Sequence, residues 1–478
     1  MFIPRLAVAA LAVSLCLSVG AVLAQDEEAV PQQPAPPGVL ELRQQANAAY
    51  EAGDYPAFRD AVAGLHELRP YNSDYMAMLV AANALAGDRT AAYNMMLKMQ
   101  QQGLAQDFDK MSDTESIRGT EVYDYINDLL VRANEPLGAA EVVQDLPSDL
   151  LLATSIDWDP RREAWLVGDA REGAVRAVSR DGKVVKLLQS NDENGLWAIF
   201  GLLVDADNNR LWLSSSASEA HQAYDPVDAG RSALFEFTLD TLELVKRYPV
   251  PVDGRPHRLG NLVRTGSGDV YVADTILPIL YRLESGGDRL RPFLASRDMV
   301  SMRGIALSDD DSKIYVADYE LGVLVVDLAG KKAFKLAVPE TLNMGGIEGL
   351  FYDDGYLVMI QNSNRPQRVM RLELNDNGTA VVNVAPLAVA QPFFDYPNFG
   401  TIVDDTLYFF ANSHWVRAME SPQPIVLAST NVANAPDIVP PDLQKFREDY
   451  ERDMRQRASA AKATESEAKD SDAAEGGD

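Results

Sequence analysis

The chain has 478 residues, a formal net charge of −28 and a single cysteine. A surface this acidic repels phosphate backbones and anionic headgroups, so nucleic-acid binding and stable attachment to a lipid surface are excluded as expected functions. Cys16 has no partner within the chain, which excludes an internal disulfide framework.

The first 24 residues read as a signal peptide. Arg5 supplies the positive region, Leu6 to Val19 an apolar core, and Val22-Leu23-Ala24 a small-residue cleavage site. Leu15 stands before Cys16 where a lipoprotein signal needs a small residue. The expectation is therefore a periplasmic or secreted protein, cleaved near Ala24 and without stable membrane insertion. Residues 25–38 form a Pro-rich, extended linker.

Residues 39–142 are expected to be a helical repeat module. Gly53-Asp54-Tyr55 and Gly87-Asp88-Arg89 recur 34 residues apart. Tyr50, Phe58, Leu65 and Pro70 fall where the first unit resembles the tetratricopeptide family. The second unit keeps Ala92 and Met96 but has Leu104 in place of the proline. A third helical segment is expected over 116–142, on the spacing of Tyr123, Ile126, Leu129, Leu130 and Ala133. Modules of this kind present either a concave peptide-binding face or a structural cap.

Residues 145–432 carry a phrase that returns about every 45 residues. It runs from a small or polar residue through an apolar stretch and an Asp-rich turn to an aromatic-rich strand with a polar end. The clearest copies are FGLLVDADNNRLWLSSS (200–216), NLVRTGSGDVYVADT (261–275) and RGIALSDDDSKIYVADY (303–319). Weaker ones lie at 155–170, 348–363 and 398–413. Six copies of paired short strands predict a six-bladed β-propeller. The expected fold class is thus mainly β, a six-bladed propeller behind an N-terminal all-α, tetratricopeptide-like module. Trp165, Trp212, Tyr271, Tyr315 and Tyr408 are expected between the sheets. A loop inserted at 217–233 is expected on one face of the disc, and 145–152 or 422–432 is expected to close the ring. Residues 433–478 form an acidic tail without an apolar face and are expected to be disordered at their end.

Aligning the copies assigns one residue per blade to the channel mouth: Thr154, Phe200, Gly260, Arg303, Glu348 and Phe399. A second ring at the strand ends reads Asp169, Ser215, Asp274, Asp318, Gln361 or Asn362, and Ala411 or Asn412. The phrases RGIALSDDDSKIYVADY and EGLFYDDGYLVMIQ resemble those of the senescence-marker-protein/gluconolactonase, strictosidine-synthase and NHL-type six-bladed propellers. LWLSSS and the following ALFEFTLDTLELVKRYPVP also resemble the royal-jelly/yellow proteins of that superfamily. The lactonase branch implies a channel cation held by Glu, Asn and Asp residues, each placed before a strand-start glycine. Glu348 matches that pattern, and Asn398 matches it with a one-residue slip.

Candidate ligand-binding residues are therefore Arg303, Glu348, Phe200, Phe399, Asn398 and Thr154. Arg303 and Glu348 form either a clamp, with Arg for a carboxylate and Glu for a hydroxyl or amine, or a salt bridge that plugs the channel. Glu348, His257 and His414 are the catalytic candidates, with either imidazole as general base. Glu348, Asp274, Asp318 and Asp169 are the metal candidates. No cofactor is expected unless that set binds calcium, which takes six to eight oxygens. The favoured function is an exported binding or assembly protein. Its partners would be a protein or peptide on the helical module and a small polar ligand in the channel. The alternative is a gluconolactonase-like hydrolase of a small lactone or ester, using Glu348, Asn398, Asp274 and a histidine.

Overall fold

The structure is a computed structural model and describes residues 37–251, 253–296, 299–415, 422–435, 445–452, 454–456 and 459. The leader, most of the Pro-rich linker and the last 19 residues lie outside the described residues. From Val39 onward the described elements belong to one compact unit.

Four helices come first: α1 (Val39–Glu51), α2 (Tyr55–Leu68), α3 (Ser73–Leu85) and α4 (Arg89–Gln101). The repeated Gly-Asp pair explains their spacing. Gly53 and Gly87 take left-handed φ of +70° and +78° after α1 and α3, a conformation that costs glycine little. The next residue then caps the following helix: Asp54 accepts from the Ala57 amide at 3.1 Å and Asp88 from the Ala91 amide at 2.9 Å. Phe58 and Leu65 are buried, and Leu104, at the expected proline position, is buried as well.

The third helical segment is shorter than expected. Helix α5 spans Glu121–Arg132, capped by Thr120. The chain then becomes extended: Leu137–Gly138 pairs with Val381–Val389 of the fifth blade, and Glu141–Asp145 pairs with Val426–Asn431 of the sixth. Glu141–Asp145 is thus the outermost strand of the last blade, closing the ring with chain from its beginning. It starts a few residues before the stretch anticipated from sequence. Its side chains are mostly exposed, so no alternating pattern marks it.

Among the described residues, strands from Glu141 to Asn431 build six antiparallel blades around a channel. Each runs from an inner strand outward, beginning at Ala153–Asp159, Ala198–Asp205, Leu259–Arg264, Met302–Leu307, Ile347–Asp353 and Gly400–Val403. Apolar clusters join every neighbouring pair. The repeated aromatics lie in them: Trp165 meets Tyr408 at 5.0 Å where blade one meets blade six, and Tyr315 stacks on Tyr352 at 5.8 Å between blades four and five. Burial of this kind, at roughly 25 cal/mol per Å² of apolar surface, holds the ring without disulfides.

The helical module joins the propeller through a polar, buried contact. Arg368 on blade five donates through Nη1 to the Gln102 carbonyl at 2.9 Å and through Nε to Gln361 Oε1 at 2.7 Å. Asn343 donates to Gln102 Oε1 at 3.0 Å, and Gln361 donates to the Gly345 carbonyl at 2.7 Å. Arg69 also pairs with Glu320. Desolvation pulls the Arg368 pKa down to about 10. Truncating this side chain leaves Gln361 Oε1 and the Gln102 carbonyl without their donor in a buried setting. Arg368→Ala is expected to lower stability by ~3 kcal/mol, read from urea denaturation. A change within ~0.5 kcal/mol would mean that the contact contributes little.

Candidate functional site at the channel mouth

Pairing of the first and second strands slips at one place in each of five blades. The breaks lie between Ala153 and Ser155, Ile199 and Gly201, Leu259 and Leu262, Met302 and Ile305, and Ile347 and Gly349. A bulge inserts one unpaired residue and turns its side chain out of the two-residue alternation. Thr154, Phe200 and Glu348 are so placed in blades one, two and five, and the longer breaks of blades three and four hold Gly260-Asn261 and Arg303-Gly304. In blade six the amide of Asn398 and the carbonyl of Phe399 both bond Phe410, giving a similar pinch.

These side chains meet. One cavity of 310 Å³ at the channel mouth is lined by Thr154, Phe200, Gly260, Arg303, Glu348 and Phe399, together with Asn398. A smaller cavity of 150 Å³ shares Asn261 and Phe399 with it and continues the channel between the inner strands. Thr154 is spent structurally, since its hydroxyl donates to the Ile199 carbonyl at 2.7 Å. Arg303 Nε lies 3.6 Å from Glu348 Oε2 and has no hydrogen-bond partner. Both residues line the cavity wall.

Sequence spacing missed one cation. Arg258 lines the same cavity, its Nε donating to Thr275 Oγ1 at 2.7 Å and its guanidinium 5.3 Å from the centre of the Phe200 ring. It lies two residues before Gly260, outside the repeat-equivalent position. Tyr319, Tyr396 and Trp415 also line the wall. Tyr319 closes the repeat copy 303–319, one residue past the strand-end ring, whereas Tyr396 and Trp415 sit in connections outside the repeat. Tyr319 carries Arg303 at 5.5 Å from its ring centre and donates to Asn362 Oδ1 at 2.7 Å.

Burial pushes the Glu348 carboxyl upward from the ordinary glutamate range, and the guanidiniums of Arg303 and Arg258 hold it back in part. Burial likewise pulls Arg258 down, reinforced by Arg303 beside it. Among the described residues the charges lining the cavity are two guanidiniums and one carboxyl.

The acidic arc expected at the strand ends does not reach the channel. Asp169 accepts from the Glu172 amide at 2.7 Å and faces Arg176, and burial lifts its pKa to about 6. Asp318 Oδ1 accepts from the Glu320 and Leu321 amides at 3.0 Å, and its other oxygen accepts from Ser301 at 2.8 Å. Asp274 accepts from the Ile276 and Leu277 amides at 3.0 Å. Each carboxylate ties a turn of its own blade. Glu348 alone of the metal candidates lines the cavity; Asn261, Asn362 and Asn398 add amide oxygens there, while two guanidiniums repel a cation.

Neither histidine is placed as a base. His257 is buried, with Nδ1 2.7 Å from Asp274 and Nε2 3.1 Å from Asp253, and it faces a different cavity on the flank of blades two and three. His414 accepts from the Leu152 amide at Nδ1 and donates from Nε2 to the Gln423 carbonyl at 2.7 Å. Both of its ring nitrogens are occupied. The 217–233 insertion packs Ala220 behind Phe200, in a small cluster with Leu152, Ala170 and Ala198.

No family model matches the chain, and no curated protein matches it. Solved structures do. Regucalcin of Agrobacterium tumefaciens, a calcium-binding protein, is 14% identical with a TM-score of 0.45, covering 61% of this chain and 93% of its own. The PQQ-bound aldose sugar dehydrogenase of Streptomyces coelicolor is 15% identical with a TM-score of 0.43, covering 62% and 98%. A structure assigned to the gluconolactonases is 15% identical with a TM-score of 0.42, covering 61% and 91%. The six-bladed architecture is read from this chain's own sheets.

A carboxyl with a higher pKa folded than unfolded keeps an extra proton on the folded chain. Its stabilising contribution is present below the unfolded value, about 4.3, and is lost as pH rises through the folded one. Glu348→Gln is therefore expected to flatten the fall in melting temperature as pH climbs above the ordinary glutamate range, measured in matched buffers. A profile identical to that of the unmodified protein would place Glu348 in water.

Proposed function

We propose that the protein is an exported small-ligand-binding propeller whose channel-mouth cavity holds a polar ligand between Arg303 and Glu348. The observation that carries this reading is the unsealed pair. Arg303 and Glu348 both line the cavity and keep part of their side chains exposed, with Arg303 Nε 3.6 Å from the Glu348 carboxyl. A partly desolvated guanidinium and carboxyl that leave donor and acceptor capacity unused are complementary to a ligand with its own acceptor and donor. The helical module is proposed to act as a cap on blade five, its Gln102–Gly103 end committed to Arg368. Its remaining surface is available for a protein or peptide partner.

Hydrolysis of a small lactone or ester is the second reading, favoured by the upward-shifted Glu348 carboxyl. In that case ionised Glu348 takes a proton from water as the water oxygen attacks the acyl carbon. Arg303 faces the developing oxyanion. The ring or ester C–O bond then breaks, and the proton passes to the leaving alkoxide. Asp274 and the histidines, set apart from the cavity, take no part.

Calorimetric titration of acetate, lactate, glycine, glucose and δ-gluconolactone into the mature protein tests the first reading. Arg303→Ala is expected to weaken whichever compound binds by about 10- to 100-fold. Binding that is indifferent to Arg303 would contradict it. Turnover of δ-gluconolactone or p-nitrophenyl acetate that disappears in Glu348→Gln would establish the second.

A further inference from the structure

Glu348 faces both arginines, but it lies within ion-pair distance of Arg303 alone. Among the described residues no carboxylate lies within ion-pair distance of Arg258, whose one side-chain hydrogen bond, from Nε to Thr275, fixes the guanidinium. Thr275 is fixed in turn, because its hydroxyl donates to the Arg258 carbonyl at 3.1 Å. The terminal nitrogens of a held guanidinium are thus left to the cavity, in the planar geometry that matches a carboxylate.

The charged groups gather on one side of the wall. Arg258, Arg303 and Glu348, with Tyr319, come from blades three to five, whereas Phe200, Phe399 and Trp415, with Asn398 and Ser413, come from blades two and six. The Phe200 and Trp415 rings are 6.1 Å apart and tilted by 36°, and Phe200 also lies under Arg258. A ligand spanning this boundary presents a flat apolar body to one half and an anionic group to the other. Two guanidiniums against one carboxyl leave a single net positive charge when all three are ionised, which balances a monoanion. At 310 Å³ the cavity is at the small end of ligand pockets, enough for about one substituted ring.

Resting on the channel-ligand reading above, we infer that the site takes an aromatic monocarboxylate, its carboxylate on the terminal nitrogens of Arg258 and its ring against Phe200 and Phe399. Arg258 is then the headgroup anchor, and Arg303 and Glu348 face substituents on the ring.

The test titrates benzoate, benzamide and acetate into the full mature protein, into Arg258→Gln and into Phe200→Leu, with melting curves to confirm that each variant folds. Benzoate is expected to bind at least tenfold more tightly than either benzamide or acetate, and to lose at least tenfold in each variant. Equal binding of benzoate and benzamide would overturn the anion assignment, and equal binding of benzoate and acetate would overturn the ring. Benzoate binding unchanged in Arg258→Gln would remove the anchor. If none of the three binds while lactate, glycine or glucose binds through Arg303, the aromatic carboxylate falls and the channel-ligand reading stands. If nothing binds through Arg303 or Arg258, both fall. Should Arg258→Gln melt early, the Phe200→Leu comparison of benzoate with acetate still decides the ring, and the benzoate–benzamide ratio in the unmodified protein decides the charge.

Discussion

The site depends on a backbone irregularity repeated around the ring. A regular inner strand would alternate its side chains between neighbouring blades and send few toward the axis. The unpaired residue at each bulge breaks the alternation where the strand enters the channel, so Thr154, Phe200, Arg303 and Glu348 point inward together. The glycine after the bulge allows this crowding. A Cβ on Gly201 would stand 2.2 Å from the Gly260 carbonyl, and one on Gly304 would stand 2.5 Å from the Leu350 amide. Inner strands of adjacent blades approach too closely there for any side chain.

Charge in the cavity runs against charge on the chain. The protein carries −28 overall, yet its channel mouth gathers two arginines beside a single glutamate. In a recess with low-dielectric walls this local excess is screened less than a surface charge. The helical module reinforces the same face. Gln361 and Asn362 are consecutive residues of blade five, and the first bonds Arg368 in the module contact while the second lines the cavity. Displacing the module would therefore be felt at the cavity wall within one residue.

The repeat made the ring positions legible, because its period fixes which residue opens each inner strand. The Gly-Asp pairs likewise announced the helix turns, each glycine ending one helix and each aspartate capping the next. What the repeat does not cover was harder to read. Arg258 stands two residues before its ring position, where other blades carry Leu152, Ser301 and Gly346, and Trp415 belongs to a connection. Glu141–Asp145 gave no signal because an exposed edge strand carries no apolar alternation. The histidines misled for a different reason. His257 and His414 stand at the right chain positions to face the channel, but hydrogen-bond partners on both ring nitrogens turn them to structural use. The strand-end aspartates repeat because each blade needs the same turn bond.

The central claim is that Glu348 and the two arginines form one electrostatic unit facing an open cavity. Carbon-13 NMR of the Glu348 side-chain carboxyl, assigned by its loss in Glu348→Gln, measures this directly in the unmodified protein and in Arg303→Ala. The account predicts titration above the ordinary glutamate value, and a further upward shift once Arg303 is removed. Titration at the ordinary value, indifferent to Arg303, would contradict it.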